Sequence, residues 1–312
     1  MNVFLLFDIS FIMKKTIFSI LLLLFCLGLL FVKNTIIQES IISASQLFFY
    51  KVFPSPFPMM ILSDLFFYFH VPEVISHFLG PLFSRFFHMS FQGCYLFLLS
   101  CISGSPANVY AMKNLVLENQ LSMEEASYLV SFSFFQSPLF LYSAISSFAP
   151  NSHVFYLMLI PYVSNLILGF FTRPVFSFQN IKKSPTYQEF GLFFSNSLKN
   201  VMNTLTFVLG SMVFFFLVNS LINPKNVAFL KGILEISQGL YALRSFENSL
   251  FVKELLAMIF VSFGGLSIHM QVKGILSEAG IPYLPFLKGR IYEIIVSITL
   301  FLMFHYAFFL KM

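Results

Sequence analysis

An all-α polytopic membrane protein is the fold class the sequence predicts, and three observations predict it. Of 312 residues, 58% are hydrophobic and only 10% charged, at a mean hydropathy of +0.84. A water-facing surface needs about 25% charged residues. Long runs free of Asp, Glu, Lys and Arg have the length of membrane crossings. Two of those runs are interrupted by small residues, at Gly104 and at Gly264. The chain length suits one bundle of roughly seven to ten membrane-inserted helices of about 20 residues each, with no room for a second, soluble domain.

Taken in order, Lys14 and Lys15 precede an uncharged stretch at 16–32 that resembles a signal peptide. No small-residue cleavage site follows, so an uncleaved transmembrane helix over 1–33 is expected. Residues 35–52 mix apolar residues with Ser, Gln and single charges, as interfacial helices do. Residues 54–70 begin with prolines suited to a helix's first turn and read as a short span. Residues 72–88 contain Gly80 and Pro81 and read as an interrupted hairpin. The run at 86–112 holds the first break. The run at 126–172 is too long for one crossing and divides at Pro150, Asn151 and Ser152 into two spans.

The strongest basic cluster, Arg173, Lys182, Lys183 and Lys199, marks 173–200 as a cytoplasmic linker that includes an interfacial stretch at 187–200. Further spans are expected at 200–224, 255–272 and 294–310. Residues 225–246, apolar and punctuated by Gly232 and Gly239, read as a re-entrant hairpin that carries Glu235.

Several function classes fall away. The net charge of +5 is scattered between apolar runs, which fits membrane loops and not a nucleic-acid surface. Cys26, Cys94 and Cys101 lie in apolar segments without CxxC spacing and read as packing residues. The chain has no HExxH, no GxSxG, no Cys/His cluster and no paired aspartates in one span. No enzyme, metal or cofactor is therefore expected.

An internal repeat explains the breaks. Aligning Gly104 with Gly264 places Lys113 on Lys273, Leu115 on Ile275 and Glu118 on Glu278, all at one offset. A helix unwound in hydrocarbon leaves backbone groups that cost several kcal/mol each unless protein, water or a ligand bonds them. Secondary transporters bind solutes at such half-helix ends, the N-terminal end favouring an anion. The substrate-site residues expected on this basis are Gly104, Ser105, Pro106, Asn108, Gln136 and Ser137 in the first half. In the second half they are Glu235, Ser237, Gln238, Gly264, Gly265, Ser267, His269 and Gln271. Gly264 and Gly265 would let backbone approach a ligand, and Gln271 would project from the same face as Ser267. Glu235 is either a coupling or recognition group, or the partner of Lys231 one turn away. For each lone polar residue, hydrogen bonding between helices is the rival role.

The segments GILEISQG, FGGLSIHMQVKGIL and PFLKGR, with FPSPFPMMIL and LSCISGSP before them, resemble the YlbJ-type sporulation integral membrane proteins. These lie within the nucleoside-recognition (Gate) group, related to concentrative nucleoside transporters. The resemblance covers about 35–310 and implies two Gate-like repeats, 34–172 and 201–312, inverted, each with a re-entrant hairpin and an unwound span. It implies a carrier of a small organic anion, dipicolinic acid, during spore formation, in the bacterial cell membrane or the outer forespore membrane. The expected partners are the lipid bilayer and the solute, with H+ or Na+ as coupling ion and a homo-oligomer allowed. A nucleoside-type transporter and a non-transporting scaffold or assembly factor are the alternatives. The family's SGYPVGAK-like turn is altered here, with Asn108 for its second glycine and Tyr110 for its lysine. Phe134 and Phe135 stand where polar groups are expected, so the scaffold carries over better than the substrate.

Overall fold

The computed structural model describes residues 31–181, 189–222 and 228–309, with a few isolated residues between 16 and 28. Most of the expected first helix lies outside the described residues, as do Lys14, Lys15, Cys26, Lys182 and Lys183. Every regular element among the described residues is helical. In chain order these are α1 (Asn34–Leu47), a π turn (Phe48–Val52), α2 (Pro56–Tyr68), α3 (Val71–Phe87), α4 (Phe91–Ser103), α5 (Ala107–Leu117), α6 (Met123–Phe132) and α7 (Pro138–Ile145). There follow α8 (Asn151–Phe171), α9 (Phe190–Ile222), α10 (Ala228–Leu234), α11 (Ile236–Ala242), α12 (Leu250–Phe263), α13 (Gly265–Glu278) and α14 (Leu284–Phe309).

The side-chain distribution is that of a protein solvated by lipid. Phe78, Leu139, Phe155 and Phe171 are each at least 75% exposed, a waste of apolar area in water. Arg290, Glu293, Glu254 and Asn165 are meanwhile buried to 1% or less. By length and composition, Asn151–Phe171, Phe190–Ile222 and Leu250–Glu278 can each cross a membrane. His77–Phe87 with Phe91–Ser103, bent by 94°, is a fourth if the pair forms one span. Among the described residues, the charge-free runs at 86–112 and 126–149 each fold as two shorter helices and not as one span.

Local signals explain most boundaries. Pro56 sits in the first turn of α2, and Pro150 caps α8 at the expected division. Ser90, Ser122 and Ser249 cap α4, α6 and α12 by accepting a backbone N–H, each worth about 1 kcal/mol. Three expectations are corrected. Gly80 and Pro81 do not interrupt α3, which is continuous over 17 residues; the sharp bend follows it at His88, whose φ is +56°. The stretch 187–200 is not a separate interfacial helix, because α9 runs unbroken for 33 residues from Phe190. The span expected in the first part of 126–172 is itself broken, at 133–137 between α6 and α7.

That last break persists because its carbonyls are satisfied from elsewhere. Asn108 Nδ2 donates to the Ser133 carbonyl at 2.7 Å and Asn165 Nδ2 to that of Phe134 at 2.8 Å. The Ser105 N–H donates to the Phe135 carbonyl at 2.9 Å. Arg290 reaches the carbonyls of Ser131 at 3.3 Å and Phe134 at 3.5 Å. With these groups paired, the several-kcal/mol penalty for unwound backbone is largely removed.

Candidate functional site

Both expected breaks are present. At Gly104, φ is +69° and the chain crosses the 133–137 segment so closely that a Cβ would strike the Ser137 backbone nitrogen. At Gly264 and Gly265, φ is +89° and +76°. A Cβ on Gly265 would lie 2.9 Å from the Ile236 backbone nitrogen. Only glycine fits either crossing, on grounds of both φ and space. Each broken helix is thus pressed against a second irregular segment. Gly265 makes its close approach to the α10–α11 hairpin, whose arms touch at Gly232 and Gly239.

Where these segments meet lies a cavity of about 60 Å³. Of the expected site residues, Ser105, Pro106, Gln136, Ser137, Glu235, Ser237 and Gln271 line it. Lys51, Ser55, Val208, Met212 and Ile268 contribute wall that the sequence reading missed. The prolines at 54–56, which open the short span expected at 54–70, also form a turn that brings Ser55 Oγ to within 2.9 Å of Ser137 Oγ.

The helix N-termini give the cavity its electrostatic character. α5 begins at Pro106 and α7 at Ser137, and neither has a side-chain cap. α11 begins at Glu235, whose carboxylate accepts from the Gln238 N–H at 2.8 Å and from Ser237 Oγ at 3.1 Å. Glu235 therefore caps a helix at the hairpin tip, beside Gly265, and its carboxylate is committed to that cap and not to Lys231. Buried Gln136 Nε2 and Ser105 Oγ have no hydrogen-bond partner among the described residues, and neither does Asn108 Oδ1. The wall thus presents donors and two positive helix ends, with one carboxylate opposing them.

The remaining expected residues stand behind this wall. Asn108 holds the 133–137 break, and Gln238 Oε1 accepts from Asn219 Nδ2 at 2.7 Å. Ser267 accepts from Gln271 Nε2 at 3.2 Å, as their shared face implies. His269 points away from the cavity: its Nε2 is 3.0 Å from the Phe263 carbonyl and its Nδ1 2.5 Å from the Tyr283 hydroxyl. A carbonyl can only accept, so Nε2 carries the proton, and His269 satisfies a group freed by the Gly264 break.

The matched half-helices have a defined sense. α5 starts at the cavity and runs to Lys113; α13 passes the cavity at Ile268 and Gln271 and runs to Glu278. Lys113 Nζ and Glu278 Oε2 are 2.9 Å apart. Both helices thus run from the cavity toward this ion pair.

A larger cleft of about 550 Å³, lined by Tyr128, Leu168, Phe178 and Tyr292 among others, shares no lining residue with the cavity. Its mostly apolar wall suits lipid better than a polar solute. No group of three or more His, Cys, Asp or Glu able to hold a metal occurs among the described residues.

Fold and site together define an integral membrane protein, an all-helical bundle whose broken helices meet at a small cavity with a few polar groups in its wall. The chain is similar to the sporulation integral membrane protein YlbJ of Bacillus subtilis (strain 168), with 25% identity over 289 residues, covering 78% of this chain and 71% of that protein. This supports the YlbJ-type resemblance and ties the chain to a sporulation membrane protein. No family model matches the chain, and no solved structure matches it.

Proposed function

We propose that the chain is a carrier for a small organic anion, by resemblance dipicolinic acid, in the cell membrane of a bacterium or the outer forespore membrane of a sporulating one. The supporting observation is the pair of unpartnered donors, Gln136 Nε2 and Ser105 Oγ, on a cavity wall where the uncapped ends of α5 and α7 meet. Donors and helix N-termini stabilise a carboxylate. The cavity holds only a few waters and is far below the roughly 300–1,000 Å³ of ordinary ligand sites. The structure is accordingly read as a closed state, in which the walls must part to hold a solute.

Glu235 and Lys51 are the ionisable residues of this wall. An anion beside an ionised Glu235 would be repelled, so a proton is the coupling ion this geometry favours over Na+. Uptake by Glu235→Gln protein should then lose its dependence on pH between mildly acidic and mildly alkaline buffer. An unchanged pH profile would leave Glu235 as a helix cap alone.

Ligand-dependent thermal shift of purified protein tests the solute class. Dipicolinate or another small dicarboxylate should raise the melting temperature, and Gln136→Leu should weaken that effect. A lost hydrogen bond to a charged group is worth about 1.5–3 kcal/mol, on the order of a tenfold or greater loss in affinity. A shift with nucleosides alone would favour the nucleoside-type reading. A shift with none of them would favour a scaffold, which the small cavity volume also suits.

A further inference from the structure

A second cavity, of about 250 Å³, lies elsewhere along the helices that wall the first. Its polar lining includes Asp64, Asn114, Glu118, Asn196, Ser197 and Asn200. The two cavities share no residue, yet α2, α5 and α9 contribute to both. α2 enters the first at Pro56 and the second at Asp64. The α5 segment does so at Pro106 and Asn114, and α9, running the other way, at Val208 and Asn200. Each separation is eight residues, or about 12 Å of helix at a rise of 1.5 Å per residue. Three helices therefore give the same spacing independently.

Between the cavities the helices close on one another. Met60, Ala107, Tyr110, Val201 and Leu205 are buried to 1% or less and belong to one apolar cluster. At its edge the Tyr110 hydroxyl donates to Asp64 Oδ2 at 2.8 Å and Ser197 Oγ donates to the same oxygen at 2.6 Å. Asn114 Nδ2 donates to Asp64 Oδ1 at 3.2 Å. One buried carboxylate thus ties α2, α5 and α9 together at the floor of the second cavity.

We propose that the two cavities are the opposite mouths of one path for a polar solute, running between α2, α5 and α9. The Tyr110–Asp64–Ser197 latch, with Met60 and Leu205, is its closed barrier. An apolar plug about one or two helical turns thick is enough to stop a hydrated solute, and the latch ties down the aromatic ring that fills it. This rests on the carrier reading for the role of the first cavity, but its test requires no known solute.

The test is one-sided thiol labelling in a background with Cys26, Cys94 and Cys101 replaced by alanine. Val52, a half-buried residue on the wall of the first cavity, reports that cavity as Val52→Cys, and Asn196→Cys reports the second, each probed in membrane vesicles of each orientation with a small impermeant methanethiosulfonate. Val52→Cys should react from one face only and Asn196→Cys from the opposite face only. Adding Tyr110→Ala should raise several-fold the reaction of Val52→Cys from the Asn196 face. Tyr110→Phe, which keeps the ring and removes the bond to Asp64, should raise it less. Two cysteines reacting from the same face would overturn the proposal, as would a monodisperse Tyr110→Ala protein with unchanged rates. Should Tyr110→Ala fail to fold, an unchanged rate in Tyr110→Phe overturns it. If labelling behaves as expected while no solute is ever carried, the path stands and the carrier reading falls.

Discussion

Arg290→Met should be the most damaging single substitution in the bundle, with a loss of about 3–5 kcal/mol. Arg290 is fully buried, pairs with Glu293, donates to Asn165 Oδ1 at 3.3 Å and lies 4.5 Å from the centre of the Phe134 ring. Its loss would strand the Glu293 carboxylate, itself 1% exposed, and free the Ser131 and Phe134 carbonyls. Removing one partner of a buried pair costs more than removing both, because the second charge is left uncompensated. Arg290→Met with Glu293→Gln should therefore be more stable than Arg290→Met alone, as denaturation in detergent would register. Equal stabilities for the single and double variants would mean that losing Arg290 leaves no uncompensated charge on Glu293.

Gly265→Ala should show the second-largest effect, and Gly280→Ala is its control. Both glycines have positive φ, +76° and +69°. A Cβ at Gly280 would find only Met123 Cε at 3.9 Å, whereas at Gly265 it would press on the Ile236 and Glu235 backbone. Gly280→Ala should thus cost only the left-handed penalty, about 1–2 kcal/mol. Gly265→Ala should cost more and also displace the hairpin that carries Glu235, abolishing solute-dependent thermal shift. Similar losses in the two variants would assign Gly265 a turn role with no part in shaping the cavity.

How far this architecture could be read in advance depended on whether the chemistry was local. The breaks at Gly104 and Gly264 were legible because glycine, serine and proline interrupt runs that otherwise have the pattern of a span. The Glu235 hairpin was legible for the same reason, with Gly232 and Gly239 spaced around an ionisable residue. The break at 133–137 was not, since what stabilises it is remote: Asn108, Asn165 and Arg290 are distant in sequence from the carbonyls they bond. Arg290 sits in PFLKGR beside Lys288 and Gly289, and nothing local shows that it turns inward. The Asp64 latch was hidden likewise, as Tyr110 and Ser197 lie in different helices from Asp64. His269 illustrates the reverse error: a histidine beside a break looked like a ligand group, but its ring is occupied with the Phe263 carbonyl and Tyr283.

Uptake of labelled dipicolinate into proteoliposomes holding purified protein tests the carrier reading most directly, with Gln136→Leu protein inserted to the same level for comparison. The account predicts saturable uptake by the unmodified chain and a raised half-saturation concentration for Gln136→Leu, because the substitution removes a donor from the cavity wall and leaves the helices in place. Absence of flux for dipicolinate and other small dicarboxylates, or identical saturation curves for the two proteins, would contradict it.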